Sequence, residues 1–205
     1  MASSEILTSP SPPSEEPGTV LFETERLIIR RYVLADAPFT SAAGNHPSVT
    51  VNMRNRFPSP YTLADAEEFL SVACKPTGTS YPGDSGIFLK SDGGGGGEPV
   101  FIGGLGVIPG KDVYYKSWEI GYWLTPSAAG HGYATEAARG LTRWLFATWP
   151  GLNRLEASAF GRNLASQNVL KKVGFREEGR KRCAIEKKCE VLDEVFFGLL
   201  RTDLE

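Results

Sequence analysis

Gly130-His131-Gly132, followed at once by Tyr133-Ala134-Thr135-Glu136-Ala137, sets a glycine turn directly before a helical stretch. A turn of this kind after a strand leaves several backbone N–H groups unpaired and pointing one way, beside the positive end of the helix dipole. It is a cradle for an anion, and its size suits a pyrophosphate. Further on, Asn163 and Ser166 precede Gly174-Phe175. Asn163 stands where an N-cap is expected and Ser166 follows three residues later, so capping alone is a serious explanation of the pair. Gly174 is placed to end that helix in the left-handed conformation and to let Phe175 pack on Leu170.

The elements that must hold these residues can be read from periodicity and caps. Leu27-Ile28-Ile29 predicts a first strand, and Ala35-Asp36-Ala37 opens a first helix. Asn52 to Pro60 reads as a loop. Thr62 caps a second helix through Ala64 to Leu70, with Asp65 in its first turn. Strands follow around Ser85 to Leu89 and Val100 to Val107, joined across the Gly93 to Gly97 run. That run lacks the Lys-Ser/Thr that would hold a nucleotide phosphate and magnesium, and is expected to be a flexible hairpin loop. Trp118 to Leu124 is the fourth strand, Tyr133 to Thr148 the third helix, Arg154 to Phe160 the fifth strand and Leu164 to Val173 the fourth helix. Glu178 to Ile185 and Glu194 to Leu200 pair as a closing hairpin across Glu186-Lys187-Lys188. In the third helix Ala134, Ala137, Ala138, Leu141 and Leu145 share one face, so its first turns can lie close to a sheet. The order predicts an α/β (α+β) domain: a mixed sheet flanked by helices.

Residues 1–18 are rich in Ser, Pro and Glu, and are expected to be a disordered tail before a single domain at 19–205. With 205 residues, 41% hydrophobic and 22% charged, the chain is long enough for one core. A net charge of −2 gives no electrostatic case for nucleic acid, and Arg180-Lys181-Arg182 reads as a solvated strand face. Cys74, Cys183 and Cys189 are few, odd in number and without metal-like spacing, which fits free thiols in a reducing compartment. With His46 and His131 the only histidines, no metal site is expected. No apolar run approaches the ~18 residues a membrane helix needs, and no signal-peptide pattern opens the chain. A cytoplasmic location without membrane association is expected.

Glu119-Ile120-Gly121-Tyr122-Trp123-Leu124, Pro126, the 130–137 turn and helix start, and Asn163 to Phe175 together resemble the GNAT-superfamily acetyltransferases, of the RimJ/RimL ribosomal-protein N-alpha-acetyltransferase type. The resemblance runs from Thr24-Glu25-Arg26-Leu27 to the last strand. It implies a mostly antiparallel sheet of six to seven strands with about four helices, splayed between strands 4 and 5. It also implies acetyl-CoA as co-substrate, its pyrophosphate wrapped by the amides of Gly130, His131, Gly132, Tyr133 and Ala134. Ala129 stands where the family usually has Gln or Arg. The backbone of Trp123, Leu124 and Thr125 would pair with the pantetheine amides, Asn163 would face the pantetheine arm, and Ser166 would lie near the sulfur. Many members place a tyrosine acid where this chain has Leu170, so Ser166, or water held by it, is left to assist the leaving thiolate.

Alternation along Trp118 to Leu124 puts Glu119 on one face with Gly121 and Trp123, where its carboxylate could take a proton from an attacking amine. Pairing with Arg139 or Arg143, or plain surface exposure, would equally account for Glu119. The acceptor is expected to meet the loop of Arg54, Arg56 and Phe57, with Tyr61 at the mouth, although arginines in a polar loop are more often simply solvated. The expected activity is N-acetyl transfer to a primary amine, either a protein N-terminus or a small molecule such as a metabolite, antibiotic or polyamine. A CoA-binding module without turnover is the reading from a different class. Monomer and homodimer are both open.

Overall fold

The computed structural model describes residues 7–79, 81–91 and 97–204. Its elements are β1 (Val20–Glu23), β2 (Leu27–Arg31), α1 (Ala37–Gly44), α2 (Pro47–Thr50), α3 (Leu63–Ala73), β3 (Asp84–Leu89), β4 (Val100–Pro109), β5 (Ser117–Leu124), α4 (Tyr133–Thr148), β6 (Arg154–Phe160), α5 (Leu164–Val173), β7 (Arg176–Lys187) and β8 (Glu190–Leu200). The strands form one sheet in the order β1-β2-β3-β4-β5-β6-β8-β7. Every neighbouring pair is antiparallel except β5 and β6.

That parallel pair positions the site. β5 and β6 are registered only over Ser117 to Glu119 against Arg154 to Glu156. Beyond Glu119 the two strands part, while β5 stays paired with β4 to Leu124 and β6 with β8 to Phe160. The splay expected between the fourth and fifth predicted strands is therefore present. It leaves two facing strand edges whose peptide groups do not bond each other.

Local chemistry explains the ends of the helices beside it. Thr62 and Asp65 form a reciprocal cap on α3, with Thr62 Oγ1 accepting from Asp65 N at 3.2 Å and Asp65 Oδ2 accepting from Thr62 N at 2.7 Å. Gly174 ends α5 at φ +117°, and Phe175 N–H returns to Leu170 O at 3.0 Å. Ala137, Ala138, Leu141 and Leu145 of α4 are buried on the sheet beside Trp118, Leu155 and Phe197.

Some expectations need correction. The sheet has eight strands, because the short β1 adds an edge to β2, and a fifth helix, α2, precedes the 52–60 loop. The closing hairpin is longer than expected and turns at Lys188-Cys189, both at positive φ (52° and 63°), the pattern of a two-residue turn matching strand twist. Part of the segment expected as a tail, within 7–18, touches the domain. Leu7 is buried in the main core, Ser9 Oγ donates to Thr148 O at 2.6 Å, and Arg31 Nε donates to Ser14 O at 2.7 Å. Most of the glycine run between β3 and β4 lies outside the described residues. Gly97 is described, and its carbonyl accepts from Ser91 Oγ at 2.9 Å.

Candidate active site

On one face of the splay, the turn before α4 supplies donors. Gly130 and Gly132 sit at φ +83° and +81°, the left-handed region that glycine enters without steric cost. The helical ladder of α4 begins with Glu136 N–H to Gly132 O at 3.0 Å, and the amides of residues 130 to 135 find no acceptor among the described residues. A side chain built on Gly130 would meet nothing within 4 Å, so the ground before these amides is open. Six unbonded N–H groups at a helix start suit a diphosphate.

Glu136 holds the turn in place. Its carboxylate accepts from Thr24 Oγ1 at 2.6 Å, from Arg26 N–H at 2.9 Å and from Arg26 Nε at 2.7 Å, and Arg26 also donates to His131 O at 3.1 Å. Burial pushes the Glu136 carboxyl pKa up, but these bonds outweigh it and hold it below the usual range. His131 is exposed and stacks on Tyr133 at 5.6 Å between ring centroids.

Within the splay, Asn163 Oδ1 accepts from Ser166 N–H at 3.2 Å, so the capping role is present. Ser166 Oγ lies 3.1 Å from the Tyr122 hydroxyl, which also donates to Ser166 O at 3.2 Å. Leu170 is not a tyrosine, but a phenol reaches the same region from β5. Burial raises its pKa to about 12, with the Ser166 bond pulling the other way. Only the β5–α5 contact shows what Tyr122 meets.

On the opposite face a cavity of about 620 Å³ extends from Tyr122, Asn163 and Ser166 to Glu119, Arg54, Arg56, Phe57 and Tyr61. This volume suits a small-molecule site. Phe57 stacks on Tyr61 at 4.3 Å and meets Trp123 edge-on at 5.8 Å, so the Trp123 side chain is part of this wall as well as of the sheet. Leu124 is half-buried and Thr125 buried, with Thr125 N–H bonded to Ile102 O at 2.8 Å. Arg54 Nη2 lies 2.6 Å from Glu119 Oε1. Glu119 therefore pairs with Arg54 and not with Arg139, which donates to Lys172 O at 2.8 Å. Arg54 thus has a carboxylate partner while its side chain stays half exposed. Its loop is pinned by Arg162, which donates to Val51 O at 2.7 Å, and by Lys187, which donates to Asn55 Oδ1 at 2.9 Å.

Among the described residues no group of His, Cys, Asp and Glu is arranged to hold a metal ion, and no helix is long and apolar enough to cross a membrane. Cys74 is half-buried, Cys183 and Cys189 are exposed, and all three are free.

Comparison with known proteins gives this geometry a family. The family model described as the acetyltransferase (GNAT) domain matches residues 26–176. The chain is 30% identical over 135 residues to the Bacillus subtilis protein named "Uncharacterized N-acetyltransferase YnaD", a match covering 62% of this chain and 79% of that one. Among solved structures, a GNAT-family acetyltransferase from Bacillus anthracis superposes with a TM-score of 0.72 at 24% identity, covering 89% of this chain and 98% of the other. RimL, titled a ribosomal L7/L12 alpha-N-protein acetyltransferase in complex with coenzyme A, gives 0.72 at 15% identity, covering 88% and 97%. These two likenesses speak for the fold, and the family match speaks for more: the chain belongs to the GNAT family of N-acetyltransferases.

Proposed function

We propose that the chain transfers the acetyl group of acetyl-CoA to a primary amine, with a protein N-terminal amine as the preferred acceptor class. One observation carries this reading: a single cavity joins Asn163, Ser166 and Tyr122 on the donor side of the splay to Arg54, Phe57, Tyr61 and Glu119 on the acceptor side. Acetyl-CoA supplies the activated acyl group. The amides of Gly130, His131, Gly132, Tyr133 and Ala134 bind its pyrophosphate. The splay-facing peptide edge at the end of β5, Trp123 and Leu124, receives the pantetheine as an added strand, with Asn163 beside it; Thr125 drops out of that edge, because its N–H is bonded to Ile102 O and its C=O to Ala128 N–H. Ser166 and Tyr122 present hydroxyls to the leaving sulfur.

Charge matching sets what Tyr122 does. A thiol has a pKa of about 8.5, well below that of the Tyr122 phenol, so Tyr122 donates a hydrogen bond to the developing thiolate without giving up its proton. A Tyr122→Phe variant is expected to lose about 10- to 100-fold in kcat at unchanged acetyl-CoA affinity, measured by steady-state thiol release and calorimetry.

An N-terminal amine, with a pKa of about 7.7 to 8.0, is partly neutral at pH 7, whereas a lysine near 10.4 is neutral only about once in 2,500. This favours the N-terminal acceptor. A second reading, a polyamine acceptor, draws support from Asp65, Glu68, Asp84 and Glu119, four carboxylates lining the cavity against Arg54 and Arg56. Thiol release with N-terminal peptides, lysine peptides and spermidine separates the two. Turnover confined to N-terminal peptides is the expected result, and turnover confined to spermidine would establish the second reading. Binding of acetyl-CoA with no turnover on any amine would mark a binding module.

A further inference from the structure

Asp84, one of the carboxylates lining the cavity, has no part yet in the acetyl transfer itself. Asp84 opens β3 opposite Gly106 of β4, and Gly106 in turn lies opposite Gly121 of β5, so the three form one row across the sheet. With strands about 4.8 Å apart, Asp84 and Gly121 are separated by roughly 10 Å at Cα. A Cβ built on Gly106 would fall 2.5 Å from Asp84 Oδ1, whereas one built on Gly121 would meet nothing within 4 Å. The carboxylate thus leans over Gly106 toward β5, and the floor ahead of it is bare backbone ending at the splay.

The Asp84 carboxylate forms no hydrogen bond or ion pair with another described residue, Arg56 acting on it only at longer range. Its surface opens into the cavity, yet the surrounding walls desolvate it and raise its pKa, against the pull of Arg56. Tyr32 just after β2, Tyr61, Asp65 and Glu68 around α3, Tyr122 of β5, and the Arg54–Glu119 pair are the other titratable or charged groups on this cavity. Glu119 differs in one respect. An oxygen of its carboxylate is already held by Arg54 at 2.6 Å, and it would have to give up that bond to take a proton there.

Building on the acetyl-transfer reading above, we propose that Asp84 takes the proton of the acceptor ammonium, while Glu119 and Arg54 form the pair that positions the acceptor. The acceptor enters as R–NH3+ over Gly106 and Gly121 and gives one proton to the Asp84 carboxylate. The freed nitrogen lone pair attacks the thioester carbonyl carbon. The C–N bond forms, the C–S bond breaks with its electron pair left on sulfur, and the second nitrogen proton passes through water to the thiolate. Asp84 then returns its proton to solvent.

The test compares the full chain with Asp84→Asn, Gly106→Ala and Glu119→Gln variants, using whichever of an N-terminal peptide, a lysine peptide or spermidine the wild type acetylates. kcat/KM is measured at pH 7.0 and 9.5, and acetyl-CoA-induced thermal stabilisation reports folding. Asp84→Asn is expected to lose about 100-fold at pH 7.0, the usual scale of general-base loss, and to recover most of it at pH 9.5, where a far larger share of the amine is already neutral. Gly106→Ala keeps the carboxylate but pushes it off the row, and should reproduce both the loss and the recovery. Glu119→Gln should show a smaller deficit that does not change with pH. An Asp84→Asn rate within about threefold of wild type at pH 7.0, or a deficit equal at both pH values, would overturn the assignment. Wild-type silence on all three amines would overturn the acetyl-transfer reading itself, and this assignment with it.

Discussion

A Gly132→Val variant is expected to lose roughly 100-fold in acetyl-CoA affinity while remaining folded. Gly132 sits at φ +81°, where a β-branched residue is a genuine outlier and costs about 1–3 kcal/mol. The chain can relieve that strain by rotating the peptides on either side of residue 132, which turns the amides of His131 to Tyr133 away from the site they face together. A valine Cβ would meet Arg26 Nη2 only in ordinary contact at 3.6 Å, so the effect comes from the backbone and not from a clash. Calorimetry with CoA gives the affinity, and the melting temperature without ligand gives the strain. A variant that bound CoA as tightly as wild type would show that the anion is held elsewhere.

Glu136→Gln is expected to destabilise the fold by about 2 kcal/mol, the scale of charge-assisted bonds in a partly buried site. The Glu136 side chain is 17% exposed and accepts from Thr24 and twice from Arg26. The amide can replace part of that pattern but not the charge. Because the folded-state pKa of Glu136 is depressed, its contribution is full above the unfolded carboxyl pKa of about 4.3 and is lost as pH falls through the folded value. Wild type and variant should therefore differ in denaturant midpoint at pH 7 and converge in acid. A gap that persisted at low pH would mean the carboxylate charge is not what holds the turn.

How much of this was legible in the chain depended on how local each determinant is. α4, β6 and α5 follow their predicted bounds because each has a sharp local signal: the glycine turn, alternation after Leu152, the Asn163 cap and the Gly174 stop. β1 escaped because Val20–Glu23 is four residues long and owes its place to pairing with β2. α2 escaped because a single turn carries no apolar period. Its start is set by His46, whose Nδ1 accepts from Ser48 N–H at 3.2 Å, and by Pro47 at its first position.

The same division runs through the site. The glycine turn, Asn163, Ser166 and Glu119 stand out by type and spacing. Tyr122, Arg54 as the partner of Glu119, and Asp84 do not, because their roles arise from contacts between residues far apart in sequence. The Asp84–Gly106–Gly121 row exists only once the strand registers are known, since a shift of one residue would turn each side chain to the other face. Gly106 and Gly121 read as unremarkable strand glycines until that row gives them a common purpose.

The most direct test of the account is a crystal structure with CoA bound. The pyrophosphate is expected against the amides of residues 130 to 134, the pantetheine along the splay-facing edge of β5 at Trp123 and Leu124, and the sulfur within hydrogen-bonding reach of Tyr122 or Ser166. A CoA whose phosphates lie away from the Gly130–Gly132 turn, or whose sulfur ends outside the β5–β6 splay, would contradict it.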